Sequence, residues 1–179
     1  MASHHLKRLM LLRHAKAEWG AGVADHERSL SSRGHLDAPL AGRWMVENDA
    51  VPDLILCSTA LRARQTCTWV SKELGDKGPT PKLEEGLYAA RAVEILALIN
   101  AVPSTVTSLL VVAHMPGVQD LAMRLASVDS NEDAVMEMAT HYPTAGLTVL
   151  EHDRDWAELD GRDAAVTDFV VRRAHSTSR

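Results

Sequence analysis

Apolar residues are arranged along the chain in two ways, and each arrangement predicts a different kind of element. Short unbroken apolar runs are typical of strands covered on both faces, whereas apolar residues that recur every three to four positions indicate helices with one buried face. The predicted strands are residues 7–13, 54–57, 82–84, 108–113, 146–152 and 166–172. A helical pattern follows each of the first four, but none separates the last two. We therefore expect an α/β fold, a three-layer α/β/α sandwich around a mostly parallel, mixed sheet, with the last two strands antiparallel and near an edge.

Four amphipathic helices are predicted between these strands. Their apolar faces are, in chain order, Leu36, Leu40 and Trp44; Ala63, Cys67, Val70 and Leu74; Ala92, Ile95, Leu96 and Ile99; and Val118, Leu121, Ala122 and Leu125. The first helix begins at residue 32 or 37 and ends at Glu47. Ser58 is the predicted N-cap of the second helix, and Pro116 lies where the fourth starts. Residues 129–138 are predicted to form a variable surface insertion.

The composition is that of an ordinary globular protein, and it restricts the classes of function. Of 179 residues, 46% are hydrophobic and 24% are charged, and the net charge of −5 leaves no basic surface typical of nucleic-acid binding. No apolar run is long enough to span a membrane, and the N-terminus lacks the apolar segment of a signal peptide. Two cysteines do not make a disulfide framework. We expect a cytoplasmic protein with one domain at residues 1–173 and a frayed polar tail at 174–179, without nucleic-acid or membrane partners. Its oligomeric state is left open.

Two of the predicted strands end in histidine. The run at residues 9–12 leads into Arg13 and His14, and the run at 109–113 leads into His114. Ligands of open α/β sheets bind at the carboxyl ends of such strands, so a pair of imidazoles with an adjacent arginine predicts a site for an anion, best a phosphoryl group. A neutral imidazole can attack phosphorus, and a protonated one can donate to a phosphoryl oxygen. The long polar loop at residues 18–32 follows the first of these strands and is a further candidate for function.

A second arginine and a cysteine lie around the start of the second predicted helix. Arg62 follows Ser58 by four residues and could bind phosphate with two parallel hydrogen bonds. Arg64 points to another side of that helix. Cysteine-dependent phosphatases need Cys-x5-Arg, but four residues separate Cys57 from Arg62 and six separate it from Arg64. Cys57 is therefore predicted to be a core residue.

A metal hydrolase is the other class that would use paired histidines. It needs a third ligand and a close ligand spacing, whereas His4 and His5 are adjacent and terminal, and Asp120 lies on the helix beyond His114. We therefore expect neither a metal nor any other cofactor.

Five segments, in order along nearly the whole chain, resemble the histidine phosphatase (phosphoglycerate mutase-like) superfamily, and most closely its SixA-type phosphohistidine phosphatases. Residues 12–16 (LRHAK) resemble the Arg-His-Gly signature, and residues 28–34 (RSLSSRG) resemble the Leu-Thr-x-x-Gly element. Residues 58–66 (STALRARQT) resemble the Ser-x-x-x-Arg-x-x-x-Thr segment, residues 113–116 (AHMP) stand where the family has Gly-His, and residues 142–146 (YPTAG) resemble a late SixA-like segment. Ala15 and Ala113 replace glycines of the broad signatures.

The resemblance implies a phosphoglycerate mutase-like fold and a hydrolase in which His14 is the nucleophile. Arg13, Arg62 and His114 would complete the phosphate pocket, and Ser58 and Met115 are expected to contact the substrate. No motif assigns a general acid, for which Glu85 and Glu18 are the candidates.

The expected function is phosphatase activity through a phosphohistidine intermediate, on a phosphohistidine-bearing protein in a SixA-like enzyme. Two alternatives stay open, a phosphatase of a small phosphorylated metabolite and a non-catalytic phosphate-binding module. A mutase is disfavoured because the chain lacks the insertions that enclose a sugar phosphate.

Overall fold

The computed structural model describes residues 5–175, and its centre is one six-stranded mixed sheet. The strands are β1 (Lys7–Arg13), β2 (Leu54–Ser58), β3 (Lys82–Glu84), β4 (Ser108–Ala113), β5 (Leu147–His152) and β6 (Ala165–Val170), in the spatial order β3-β2-β4-β1-β5-β6. The helices are α1 (Ser32–Glu47), α2 (Leu61–Leu74), α3 (Ala92–Asn100), α4 (Gly117–Leu125) and α5 (Glu132–Thr140). Strands β1 to β4 are mutually parallel where they pair, and β5 and β6 are antiparallel to their neighbours, as the sequence predicts.

The two faces of the sheet are covered by different helices, which makes three layers. Successive residues of β1 alternate between two cores, with Leu9 and Leu11 on one face and Met10 and Leu12 on the other. The first face packs against α3, α4 and α5, and the second against α1 and α2. All four of these residues are fully buried, which explains why the strand reads as an unbroken apolar run.

The register between β1 and β4 places the two strand-end histidines next to each other. Arg13 is paired with Ala113, the last residue of β4, so His14 and His114 follow at the same edge of the sheet. The His14 N–H donates to the Ala113 carbonyl at 3.1 Å, which continues the ladder for one more residue.

Helix α5 corrects the prediction of a surface insertion at residues 129–138. Asn131 caps this helix by accepting a hydrogen bond from the Ala134 N–H at 2.9 Å, and Ala134 and Met138 are buried in the core. The apolar stripe is short and is broken by acidic residues, so its period is weak in the sequence.

Two further details of the predicted helices are wrong. Leu36 is 53% exposed, because α1 turns its small residues, among them Ala38 and Ala41, toward the protein and so approaches α2 closely. Ser58 is the last residue of β2 rather than an N-cap, and α2 begins at Leu61 after Ala60. The apolar faces predicted for α2 and α4 are buried throughout, as is most of that of α3.

The end of the described chain is fixed to α1. The Ala174 N–H donates to Asp37 at 2.9 Å, and the Ala174 carbonyl accepts from Arg33. Predictions for residues 1–4, including His4, and for the remaining tail at 176–179 lie outside the described residues. Between residues 5 and 175, no helix combines the length and the apolar character that a membrane span requires.

Candidate active site

His14 lies in the loop that leaves β1 at the carboxyl edge of the sheet. Its Nδ1 is 2.7 Å from the Ala15 carbonyl oxygen, which can only accept, so Nδ1 carries the proton. The Nε2 atom then holds the free electron pair, and the Nε of Arg62 donates to it at 3.4 Å. Burial lowers the pKa of His14 from 6.5 to about 3, and the nearby positive charges act in the same direction. The imidazole is therefore neutral at physiological pH.

His114 stands beside His14, with ring centroids 5.1 Å apart. Its Nε2 is 2.6 Å from the Ser58 hydroxyl, whereas its buried Nδ1 has no hydrogen-bond partner within residues 5–175. Burial lowers the pKa of His114 to about 4, and Arg62 adds to this effect. Two neutral imidazoles thus lie side by side. The Nε2 of His14 is unprotonated, and the Nδ1 of His114 has no hydrogen-bond partner within residues 5–175.

The two arginines of the predicted pocket reach this place from different elements. Arg62, in the first turn of α2, is only 6% exposed although it carries a full charge. Arg13 ends β1 and donates from Nη1 to the Tyr142 carbonyl at 2.7 Å, while its buried Nε has no partner among the described residues. Donors left in this state are suited to an anionic ligand.

Thr66 connects the loop of His14 to the helix of Arg62. Its hydroxyl donates to the Arg62 carbonyl at 2.7 Å and accepts from the Ala15 N–H at 3.0 Å. The β-hydroxyl one turn after Arg62 therefore fixes the distance between the two functional segments. Thr66 is the last residue of the segment at 58–66 that resembles the family, but the spacing of that segment did not predict this contact.

Asp25, in the predicted functional loop, is the carboxylate that contacts the site. Its Oδ2 accepts from Arg62 at 3.1 Å and from the Tyr88 hydroxyl at 2.6 Å, and its carbonyl accepts from Arg62 at 2.7 Å. Hydrogen bonds from Tyr88 first, and then from Arg28 and Arg62, hold the pKa of this carboxyl well below its usual range. Sequence reasoning missed Asp25 and Tyr88, because several polar residues of the loop were equivalent candidates before folding.

The side chains of the two predicted acid candidates form no hydrogen bond or ion pair with the other described residues of the site. Glu18 and Glu85 are exposed, and the side chain of neither makes a hydrogen bond or an ion pair with any described residue. Ser58 also differs from its predicted role. Its hydroxyl is fully buried and contacts His114 and the Ala60 N–H, so it orients the imidazole instead of facing the cleft.

The structure also shows the surroundings of Met115, Cys57 and Arg64. Met115 is half-buried and packs against the core on one face of the sheet. Cys57 is fully buried in the opposite core and is a free thiol, as predicted for a packing residue. Arg64 donates to the Thr59 carbonyl at 2.9 Å and lines a cavity beside Cys57 and Cys67 that does not include His14.

The donors at this edge of the sheet suit an anion better than a cation. Arg62 and Arg13 contribute fixed positive charge next to two imidazoles, and α4 begins at Gly117, directly after the His114 loop. Among residues 5–175, no group of three or more histidine, cysteine, aspartate or glutamate side chains is arranged to hold a metal ion.

Comparison with known proteins relates both the sequence and the fold to one family. The sequence model of the histidine phosphatase superfamily (branch 1) matches residues 9–89. An uncharacterised protein of Mycobacterium tuberculosis is 40% identical over 163 residues, which are 90% of this chain and 100% of that protein.

Two solved structures share the fold over nearly their whole length. A protein assigned as the phosphohistidine phosphatase SixA of Agrobacterium tumefaciens is 30% identical, with 93% of this chain and 98% of that chain covered and a TM-score of 0.76. Its counterpart from Nakamurella multipartitia is 29% identical, with 93% and 96% covered and a TM-score of 0.81. Sequence and fold agree, and the chain belongs to the histidine phosphatase superfamily as a hydrolase of phosphorylated substrates.

Proposed function

We propose that this protein hydrolyses phosphorylated substrates through a covalent phosphohistidine at Nε2 of His14. The observation that carries the proposal is the state of the His14 ring. Its proton is held on Nδ1 by the Ala15 carbonyl, and its low pKa keeps Nε2 unprotonated. A nucleophilic nitrogen is thus available without a prior deprotonation step.

The reaction has two steps. First, the Nε2–P bond forms while the bond between phosphorus and the leaving group breaks, and the leaving group takes up a proton from solvent. Then water attacks phosphorus and releases a proton to solvent, the Nε2–P bond breaks with its electron pair returning to the imidazole, and inorganic phosphate leaves. Arg13 and Arg62 would bind the equatorial phosphoryl oxygens, where negative charge must be stabilised in both steps.

His114 is suited to donate a hydrogen bond to one of those oxygens while neutral. The Ser58 hydroxyl accepts from the Ala60 N–H at 3.3 Å, so its own proton is available for Nε2 of His114 at 2.6 Å. His114 then carries its proton on Nδ1, the atom without a partner in the described structure. Ser58 thereby acts as a positioning residue for this donor.

A SixA-like substrate, a phosphohistidine in a protein, fits a site in which the one carboxyl bonded to the pocket within residues 5–175 is ionised. Asp25 contacts Arg62, but its lowered pKa keeps it ionised, and no other carboxyl of residues 5–175 forms a hydrogen bond with the His14–His114–Arg62 group. A phosphohistidine has an imidazole as its leaving group, and this nitrogen is protonated more easily than an alkoxide. Such a substrate asks less of a general acid than an alkyl phosphate does.

The test is transfer of ³²P from a labelled phosphohistidine peptide, stopped by rapid quenching. We expect the protein to carry label that is lost in acid and retained in base, as is typical of phosphohistidine. The His14→Ala variant should carry none and should lose nearly all turnover, whereas His5→Ala, which removes an exposed histidine outside the site, should behave as wild type.

Two results would contradict the proposal. Label that persists in His14→Ala and disappears in Cys57→Ser would identify a different nucleophile. Turnover of a panel of alkyl phosphate metabolites at higher kcat/KM than the phosphohistidine peptide would retain the intermediate but replace the substrate class.

A further inference from the structure

A cleft with a volume of about 470 Å³ extends from His14 along the carboxyl edge of the sheet, and its wall is rich in positive charge. Its basic side chains are Arg13, Lys16, Arg28, Arg33 and Arg173. The chain as a whole has a net charge of −5, so the cleft has the opposite sign to the molecule. A concave surface lined by one sign of charge concentrates ligands of the other sign.

Few carboxylates neutralise this wall. Asp37, 2% exposed, is the acidic residue that lines the cleft, and it is shared by Arg33 and Arg173. Asp25 pairs with Arg28 at 3.0 Å and is also bound to Arg62 of the candidate phosphate pocket. Two carboxylates therefore pair with three of the five cations of the cleft, and one of the two also pairs with Arg62, so Arg13 and Lys16 have no carboxylate partner within residues 5–175.

Three of the cations are held in fixed positions. Arg33 makes two hydrogen bonds to Asp37, at 3.1 and 2.9 Å, and Arg173 donates to the Thr144 carbonyl at 2.9 Å. The guanidinium of Arg28 stacks on Trp19, with 3.8 Å to the ring centroid. Side chains that are ordered before a ligand arrives lose less entropy when it binds.

Lys16 is the cation of the cleft that has not found a partner. It is exposed, two residues after His14, and its ammonium group makes no hydrogen bond or ion pair within residues 5–175. Hydrogen bonds from a charged donor to an anion are stronger than neutral ones. The free ammonium group and the fixed Arg173 thus face the same space beside His14.

This space adjoins the place of the phosphoryl group, because Arg13 and His14 border both, and it extends away from the other two residues of the pocket. Arg62 and His114, which contact or flank His14 on one side, do not line the cleft. The part of a substrate that lies in the cleft is therefore a group attached to the phosphoryl group.

Resting on the function proposed above, we propose that the preferred substrate carries a second anionic group, a carboxylate or a phosphate, close to the phosphoryl group. The second anion binds in the cleft between Lys16 and Arg173, with Arg33 behind them. In a protein substrate it is the side chain of an acidic residue beside the phosphohistidine. In a small substrate it belongs to the same molecule as the transferred group.

The first experiment measures binding by calorimetry and does not depend on turnover. Phosphoglycolate, which has both a phosphate and a carboxylate, is compared with ethyl phosphate, which lacks the carboxylate. We expect phosphoglycolate to bind about tenfold more tightly, and the difference to shrink in Lys16→Gln and in Arg173→Gln. Lys77→Gln, at an exposed lysine without an ion pair among the described residues, is the matched control and should keep the wild-type ratio.

The second experiment separates the two sources of the anion. Two phosphohistidine peptides differ in one residue next to the phosphohistidine, glutamate in one and glutamine in the other. A protein source predicts a kcat/KM about tenfold higher for the glutamate peptide, with a smaller ratio in Lys16→Gln and at high salt, because exposed charges are screened. A small-molecule source predicts equal peptides alongside the phosphoglycolate preference.

The outcomes distinguish this inference from the proposed function. Equal affinity for phosphoglycolate and ethyl phosphate, together with equal turnover of both peptides, would overturn the second-anion site while leaving the phosphatase intact. A phosphoglycolate preference that depends on Lys16, in a protein that forms no phosphohistidine, would support the site and overturn the proposed function.

Discussion

At the scale of single residues, the electrostatics around His14 are unusual because the neighbours of the ring are either positive or uncharged. The Asp25 carboxylate is hydrogen-bonded to Arg62, and its charge acts on the pKa of His114 but not on that of His14. No negative group therefore stabilises an imidazolium at His14, and burial decides the charge. The same arrangement that keeps Nε2 unprotonated makes protonation of His14 costly.

This cost predicts a loss of stability as the pH falls. The folded-state pKa values of His14 and His114, about 3 and about 4, lie below the value of 6.5 expected after unfolding. Only the unfolded chain takes up these protons between about pH 6.5 and pH 4, so the free energy of unfolding decreases in that window as the pH falls. Each histidine should contribute a decrease of roughly 1 kcal/mol by about pH 5.5.

Denaturant unfolding at about pH 7.5 and about pH 5.5 measures this effect. The decrease in unfolding free energy should be smaller by roughly 1 kcal/mol in His14→Ala than in wild type. His5→Ala, at an exposed position, should show the wild-type decrease. Identical decreases in all three proteins would show that His14 titrates normally in the folded state.

At the scale of elements, the start of α1 holds the loop that follows His14. The Lys16 carbonyl accepts from both the N–H and the hydroxyl of Ser31, at 2.9 and 3.1 Å. Ser31 also caps α1 by accepting from the Gly34 N–H. The capping turn and the loop that carries His14 therefore form one unit, in which α1 packs directly against the backbone of the loop.

Gly34 is required by this close approach, and its replacement tests the coupling. A Cβ atom at Gly34 would lie 2.2 Å from the Lys16 carbonyl oxygen, a distance that only a backbone shift can relieve. Gly34→Ala should lower the free energy of unfolding by about 1–3 kcal/mol and also lower kcat, because the loop carrying His14 must move. Thermal unfolding and steady-state kinetics measure the two effects.

Gly86→Ala is the control for this substitution. A Cβ at Gly86 meets only Leu98, at an ordinary distance of 3.5 Å, so stability and kcat should change little. An unaltered kcat in a destabilised Gly34→Ala protein would mean that α1 stabilises the fold without positioning His14.

At the scale of the whole molecule, positive charge is concentrated at the edge of the sheet where the central strands β1 and β4 end. The net charge of −5 disfavours an anion at most of the surface, and Arg13 and Arg62 supply the attraction locally. Because these arginines are contributed by the chain itself, we expect turnover to be unchanged by EDTA. Assays of phosphohistidine peptide hydrolysis before and after chelation check this. Activity that is lost in EDTA and restored by zinc or magnesium would assign the chemistry to a metal site.

The sequence by itself determined the layers of the fold and four members of the candidate site. Buried parallel strands must be apolar on both faces, so the sequence shows β1 and β4 as unbroken apolar runs. The polar residues at the ends of these runs stand out against them. Arg13, His14 and His114 stand at those ends, and the motif around Ser58 added Arg62. In the structure, Arg62 donates to His14, and the rings of His14 and His114 lie 5.1 Å apart.

Only the tertiary structure decided which partners these residues have. The link through Thr66, the orientation of His114 by Ser58 and the contact of Asp25 with Arg62 join segments that are far apart in the chain. The side chains of Thr66, Ser58 and Asp25 are short and polar, and in a sequence such residues look like any solvated loop or helix residue. Local periodicity reports which face of an element is buried, but a hydrogen bond between two loops depends on how the elements pack.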